Sequence, residues 1–195
     1  MKRNKKITIV IIGCGKIANH YIKIIRSKKI NNCKLVGFFD IDINRVSAFA
    51  KKFFSKAFTN LDKMLDATNP DLAIILTPSG LHYTHTKQVL KKKINVLVEK
   101  PAALIPSQVK ELSILAKKKK LLYVVAFQNR LNLSIICLKE AINKKRFGKS
   151  LLIPKNKGCS ILHGAHQEEK KFTKTNLFSK SLLVRISFVL NKFSV

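Results

Sequence analysis

Two hydrophobic periods alternate along the first three-quarters of the chain. Ile7–Ile12 is a continuous β-branched run bounded by glycine, the pattern of a strand buried on both faces. Ile17, Tyr21, Ile24 and Ile25 then recur at helical spacing. Leu35–Phe39 predicts a second strand ending at Asp40, and Val46, Phe49, Ala50 and Phe53 predict a second helix. A short extended piece around Ala57-Phe58 follows, then a small helix near Leu61–Leu65, closed by Asn69-Pro70. Leu72–Leu76, Val96–Val98 and Leu121–Ala126 predict three more strands. Between them, Tyr83–Lys92 reads as helical, and Ser107 reads as the N-cap of a helix striped by Val109, Leu112 and Leu115. Ile135, Leu138 and Ile142 stripe a helix after the last strand.

Strands separated by crossover helices imply a parallel sheet with right-handed connections, an α/β fold wound on both faces. Ligands of such sheets bind beyond the C-terminal ends of the strands, so the residues at those ends carry the chemistry. From about Gly148 the alternation stops. Residues 154–181 have no sustained period and no Asp, and are rich in Lys, Ser, Thr and Asn. The expected organisation is one domain over 1–149 and an irregular basic tail over 150–195.

Composition changes this picture little. The net charge of +29 over 195 residues would ordinarily suggest nucleic acid or an anionic membrane. The basic residues are mostly Lys and are scattered among many Ile, Asn and Phe, a mixture that AT-rich coding produces. Runs such as Lys91–Lys93 and Lys117–Lys120 fall at helix ends, where they favour the negative pole of the helix dipole. A nucleic-acid surface needs clustering rather than excess, so neither nucleic acid nor membrane is an expected partner. Gly13-Cys14-Gly15-Lys16 ends the first apolar run too early for an export signal. The four cysteines are widely spaced without a C-x-x-C pair, as in reduced cytoplasmic proteins.

The first strand runs into Gly13-Cys14-Gly15-Lys16-Ile17-Ala18, a G-x-G-x-x-A turn between strand and helix. There Gly13 permits the tight turn and Gly15 lets the backbone approach a pyrophosphate. Ala18 keeps the helix close to the sheet, and the helix N-terminus at Lys16 and Ile17 attracts phosphate charge. Asp40 ends the next strand 22 residues after Ala18, where a ribose-binding carboxylate belongs. Together these predict a Rossmann-type domain holding a nicotinamide dinucleotide. Ile41 follows Asp40, in a place where a phosphate-binding Arg, Lys or Ser can stand, and Asp40 repels a 2′-phosphate. NAD is therefore expected over NADP.

Three more strand ends are polar: Thr77-Pro78-Ser79-Gly80-Leu81-His82, Glu99-Lys100-Pro101 and Gln128-Asn129-Arg130. Lys100, directly after a buried strand and beside a carboxylate, is the candidate for proton transfer, tuned by burial and by Glu99. His82-x2-His85 and Cys159-x3-His163-x2-His166 lack the further ligands of a settled tetrahedral site. No metal is expected.

The order G-x-G-x-x-A, acidic second-strand end, T-P-x-x-x-H, E-K-P resembles the glucose–fructose oxidoreductase/inositol dehydrogenase/MocA family over residues 6 to about 149. Ala126–Asn132, Leu138–Ile142 and Phe147-Gly148-Lys149 resemble the branch that contains UDP-N-acetylglucosaminuronate 3-dehydrogenases of surface-polysaccharide synthesis. The resemblance implies that Thr77, Pro78, Ser79, His82, Glu99 and Gln128 line the cofactor. It makes Lys100 the proton-transfer residue and sets Lys100, Asn129 and Arg130 near a nucleotide-sugar substrate. It also implies a second, open-sheet domain with the oligomer interface and a G-x-x-x-D-x-x-x-H segment. Nothing after Lys149 matches that domain, and no Asp follows Asp71. The expectation is the NAD-binding part of a sugar or nucleotide-sugar dehydrogenase, truncated or frameshifted near 149–153 and inactive alone. The alternative is a non-catalytic NAD-binding module or a decayed gene product.

Overall fold

Six parallel strands form the sheet, in the order β3-β2-β1-β4-β5-β6. They are β1 (Ile7–Ile12), β2 (Cys33–Phe39), β3 (Lys56–Phe58), β4 (Leu72–Ile75), β5 (Asn95–Glu99) and β6 (Tyr123–Ala126). The intervening helices are α1 (Lys16–Ile25), α2 (Ile43–Phe53), α3 (Leu61–Thr68), α4 (His82–Lys91) and α5 (Pro106–Lys118). This computed structural model describes residues 6–27, 32–127, 133–144 and 146. The described residues fall into two units, divided after Phe127. The second unit contains α6 (Leu133–Asn143), the helix expected from the Ile135, Leu138 and Ile142 stripe. The tail from 150 lies outside the described residues.

The order is that of a doubly wound sheet whose direction of winding reverses between β1 and β4. The reason lies in the apolar runs. Ile9, Val10, Ile11 and Ile12 of β1, the whole of β4, and Val96–Val98 of β5 are buried, so these strands need helices on both faces. Each fully buried Ile or Leu contributes roughly 1.5–3 kcal/mol relative to exposure. One connected cluster joins Val10, Ile12, Ile75 and Val98 to Leu61, Met64 and Leu65 of α3, Val89 and Leu90 of α4, and Leu112 of α5.

Helix starts follow local chemistry, with one correction. Asp42 caps α2 by accepting from the N–H groups of Asn44 (2.9 Å) and Arg45 (3.1 Å). Asn60 caps α3 through the N–H of Lys63 (2.9 Å). Ser107 does not cap α5. The helix begins at Pro106, and the capping position is Ile105, with no side-chain cap. Proline suits the first helical position, because its missing N–H would have no helical partner there. The last strand also starts later than its apolar run, at Tyr123. Leu121 N–H closes α5 on the carbonyl of Ala116, and Leu122 N–H donates to Asn95 Oδ1 (2.9 Å). No helix among the described residues is long and apolar enough to cross a membrane.

Candidate cofactor site

The winding reverses between β1 and β4, and ligands of such sheets bind beyond the C-terminal ends of the strands at that point. Gly13 follows β1 there, with φ +98° and its N–H bonded to the carbonyl of Phe39 (2.8 Å). A Cβ at Gly13 would stand 2.8 Å from Thr77 N and 2.9 Å from the carbonyl carbon of Leu76. Both the left-handed backbone and the approach of β4 therefore require glycine here. Gly15 differs. It has extended backbone at the cap of α1, no side chain caps that helix, and a Cβ there would meet nothing within 4 Å. The open space lies over the uncapped amides of α1, the donors a pyrophosphate needs. Lys16 is exposed and Ile17 half-buried in the first turn, and Ala18 is buried.

Asp40 follows the end of β2. It is buried, and Oδ2 accepts from the N–H of Cys14 at 2.8 Å while Oδ1 accepts from the N–H of Asp42 at 3.1 Å. A carboxylate has about four acceptor positions, and these two amides fill two of them. Arg45 approaches both oxygens, at 3.4 and 3.5 Å. Burial, and secondarily the Asp40 carboxylate, push the Cys14 thiol up to about 12, which leaves it unreactive within the glycine turn.

Beyond the ends of β4 and β5 the polar residues brace one another. Thr77 and Ser79 are half-buried, Pro78 is exposed, and Ser79–Leu81 form a single 3-10 turn ahead of α4. Thr77 Oγ1 lies 3.1 Å from His85 Nδ1. Burial, helped by the nearby His82, holds His85 below its ordinary value, so its ring is predominantly neutral at pH 7. His82 is itself buried, with Nε2 2.7 Å from the carbonyl of Thr77 and Nδ1 2.5 Å from that of Pro101. Both ring nitrogens of His82 face carbonyl oxygens inside the protein, so neither is turned toward a ligand. His82 ties the exit of β4 to the cis Lys100-Pro101 turn after β5.

Glu99 is likewise engaged. It is buried, Tyr21 of α1 donates to its Oε1 at 2.7 Å, and the main-chain N–H of Lys100 donates to Oε2 at 3.0 Å. Burial, the first influence expected to tune Lys100, is absent: the residue is exposed, and Glu99 meets its amide. Gln128, Asn129 and Arg130 lie outside the described residues. Tyr21 and Arg45 carry contacts that pattern reading did not assign. A tyrosine on an otherwise aliphatic buried stripe was the available signal for the first, since its hydroxyl needs a partner.

Residues 7–127 match the family model GFO_IDH_MocA, the oxidoreductase family with an NAD-binding Rossmann fold. The chain belongs to this family.

Several family members show how far the likeness runs. Glucose-6-phosphate 3-dehydrogenase of Bacillus subtilis is 38% identical over 96 residues, 49% of this chain and 26% of that protein. D-glucoside 3-dehydrogenase of Escherichia coli is 28% identical over 142 residues, 72% of this chain and 40% of its own length. Among solved structures, the WlbA dehydrogenase of Chromobacterium violaceum, in complex with NADH and UDP-GlcNAcA, superposes with TM-score 0.69 at 33% identity. That match covers 76% of this chain and 43% of WlbA. The chain thus spans less than half the length of these relatives. What it shares with them is the NAD-binding Rossmann domain. Among the described residues, no group of three or more His, Cys, Asp and Glu side chains is arranged to hold a metal ion.

Proposed function

We propose that this chain is the cofactor-binding part of a sugar or nucleotide-sugar dehydrogenase, in which hydride passes from a hydroxyl-bearing sugar carbon to NAD. The observation that carries the reading is the pairing of Gly15 with Asp40. Open space lies over uncapped amides at Gly15, and a buried carboxylate is hydrogen-bonded to the same turn through Cys14 N–H. That is the donor and acceptor set of a dinucleotide: amides for the pyrophosphate, a carboxylate for the adenosine ribose. NAD, when bound, supplies the hydride acceptor.

In this reading Gly13, Gly15, Lys16 and Ile17 hold the pyrophosphate side, and Asp40 accepts from the ribose. Thr77, Pro78, Ser79 and Gln128 line the nicotinamide, with His82 and Glu99 holding that edge in shape. Lys100 receives the hydroxyl proton of a nucleotide sugar positioned with Asn129 and Arg130. The domain extends to residue 149, and its setting is the cytoplasm, with no nucleic-acid or membrane partner. The second reading, an NAD-binding module without catalysis, is supported by the exposure of Lys100. Oxidation of an alcohol needs a proton acceptor fixed against the substrate and shielded from water.

Calorimetric titration with NAD tests the binding half. Asp40→Ala is expected to cost about 1–3 kcal/mol of NAD affinity, the range for a hydrogen bond to a charged group. An unaffected variant removes the assignment. NADH absorbance over a panel of nucleotide sugars and polyols tests the chemistry. The 195-residue chain is expected to bind NAD without turnover, and steady turnover lost in Lys100→Ala would make it a working enzyme by itself.

A further inference from the structure

At the opposite edge of the sheet from Gly13, Asp40 and Lys100, two lysine runs that are distant in sequence come together. α4 and α5 lie side by side, with Lys87 Nζ of α4 2.7 Å from Glu111 Oε1 of α5. Both helices end in the same turn. Lys93 N–H donates to the carbonyl of Leu90 and Ile94 N–H to that of Val89, just as Lys120 N–H donates to Lys117 and Leu121 N–H to Ala116. Lys93 and Lys120 hold the left-handed position of each turn, at φ +61° and +56°, a place where glycine is usual. From these turns the chain enters the neighbouring strands β5 and β6, so the two helix ends stand together. Lys119 Nζ donates to the carbonyl of Lys91 at 2.9 Å, a direct contact between the runs.

Lys91–Lys93 and Lys117–Lys120 thus form one surface, with six of the seven residues exposed and Lys119 half-buried. Lys92 pairs with Asp66 at 2.5 Å, and no other lysine of the two runs has an ion-pair partner among the described residues. The negative pole of a helix offsets about half a charge. Two helix ends and one carboxylate therefore leave most of this charge uncompensated. Ile114 is 59% exposed and lies one turn before Lys117 and Lys118 on α5, a spacing that puts the three on one helix face. Neither run contains arginine or an aromatic residue, the groups that fork onto phosphates and stack on bases.

We propose that this edge is a docking surface for an acidic protein segment. Carboxylates of the segment neutralise the two lysine runs, and an apolar side chain among them packs on Ile114. Flexible lysine stems suit such a partner, because an ammonium needs no fixed fork geometry to meet a carboxylate. The overall positive charge of the chain speeds the approach, and the paired runs decide where it ends. The surface does not depend on the cofactor reading, since none of its residues belongs to the site above.

The test is fluorescence anisotropy of the full chain with a labelled peptide of glutamates around a single leucine. It is run in about 0.15 M salt, where charges more than about 8 Å apart are largely screened. One variant carries Lys91→Gln, Lys117→Gln and Lys118→Gln. A control of the same net charge carries Lys23→Gln, Lys34→Gln and Lys51→Gln, all at exposed positions, and thermal melts check that both fold. The first should weaken the peptide about tenfold and the control less than about twofold. Ile114→Ser should weaken it about threefold and leave an all-glutamate peptide unaffected. Equal losses in the two triple variants would reduce the binding to net charge and overturn the surface. Tighter binding of polyuridylate RNA or of phosphatidylserine vesicles through the same lysines would overturn the class of partner. A wild-type chain that leaves the peptide free would overturn the proposal as a whole.

Discussion

Two stretches of the sheet's C-terminal edge are built from similar residue types and use them differently. At the ends of β1 and β2, Gly13 and Asp40 lock to neighbouring backbone, and open space is left beside Gly15. At the ends of β4 and β5 the polar groups face inward: His82 spans two carbonyls, Glu99 serves Tyr21 and the amide of Lys100, and Lys100 is exposed. A binding half can be completed by a few tens of residues around one turn, because its donors are main-chain amides fixed by the fold. A reacting half needs a substrate, a placed proton acceptor and exclusion of water. At this edge His82 and Glu99 are already committed to holding it in shape.

The contrast breaks most sharply at the glycines. Gly13→Ala must combine a left-handed backbone with overlap against Thr77 N. Its expected cost is about 2–5 kcal/mol, a fall in melting temperature on the order of 10 °C. Gly15→Ala meets nothing in the protein, so its melting temperature should stay put while NAD affinity falls about tenfold. Calorimetry and thermal melts separate the two effects. If both variants lose stability alike, the space over Gly15 is not kept for a ligand.

A second pair sharpens the other end. His82→Ala removes the buried ring that bridges the carbonyls of Thr77 and Pro101 and should cost about 2–4 kcal/mol of stability. Lys100→Ala, at an exposed position, should stay within about 0.5 kcal/mol by chemical denaturation. A reversed order would show that the edge is held by Lys100 and not by the His82 brace.

The smallest expected effect is a dependence on pH. Burial, and secondarily His82, lower the folded-state value of His85 below its ordinary 6.5. The unfolded chain therefore binds the proton more tightly. The stabilising contribution is fully present above pH 6.5 and is lost as pH falls through the folded value. Melting curves taken across that window should show wild type losing stability on acidification and His85→Gln losing less. Parallel slopes would assign the effect to other groups.

Much of this was legible in the sequence, and the division has a physical basis. The β1–glycine turn–α1 unit, the parallel sheet and the places of Asp40, Thr77, Glu99 and Lys100 at strand ends follow from local periods and from glycine's access to positive φ. Neither depends on distant partners. Direction and company were decided only by the tertiary structure. Tyr21 reads as one more apolar stripe position, yet its hydroxyl reaches Glu99 at the end of β5, 78 residues away in sequence. His82 belongs to a strand-end motif but turns inward, because two carbonyls from separate strand exits converge on its ring. Arg45 is five positions past Asp40 and looks solvent-facing until the Asp42 cap folds it back onto the carboxylate. Periodicity assigns a residue to a face. Which atoms it meets there depends on how separate elements pack, and that information is spread over the whole chain.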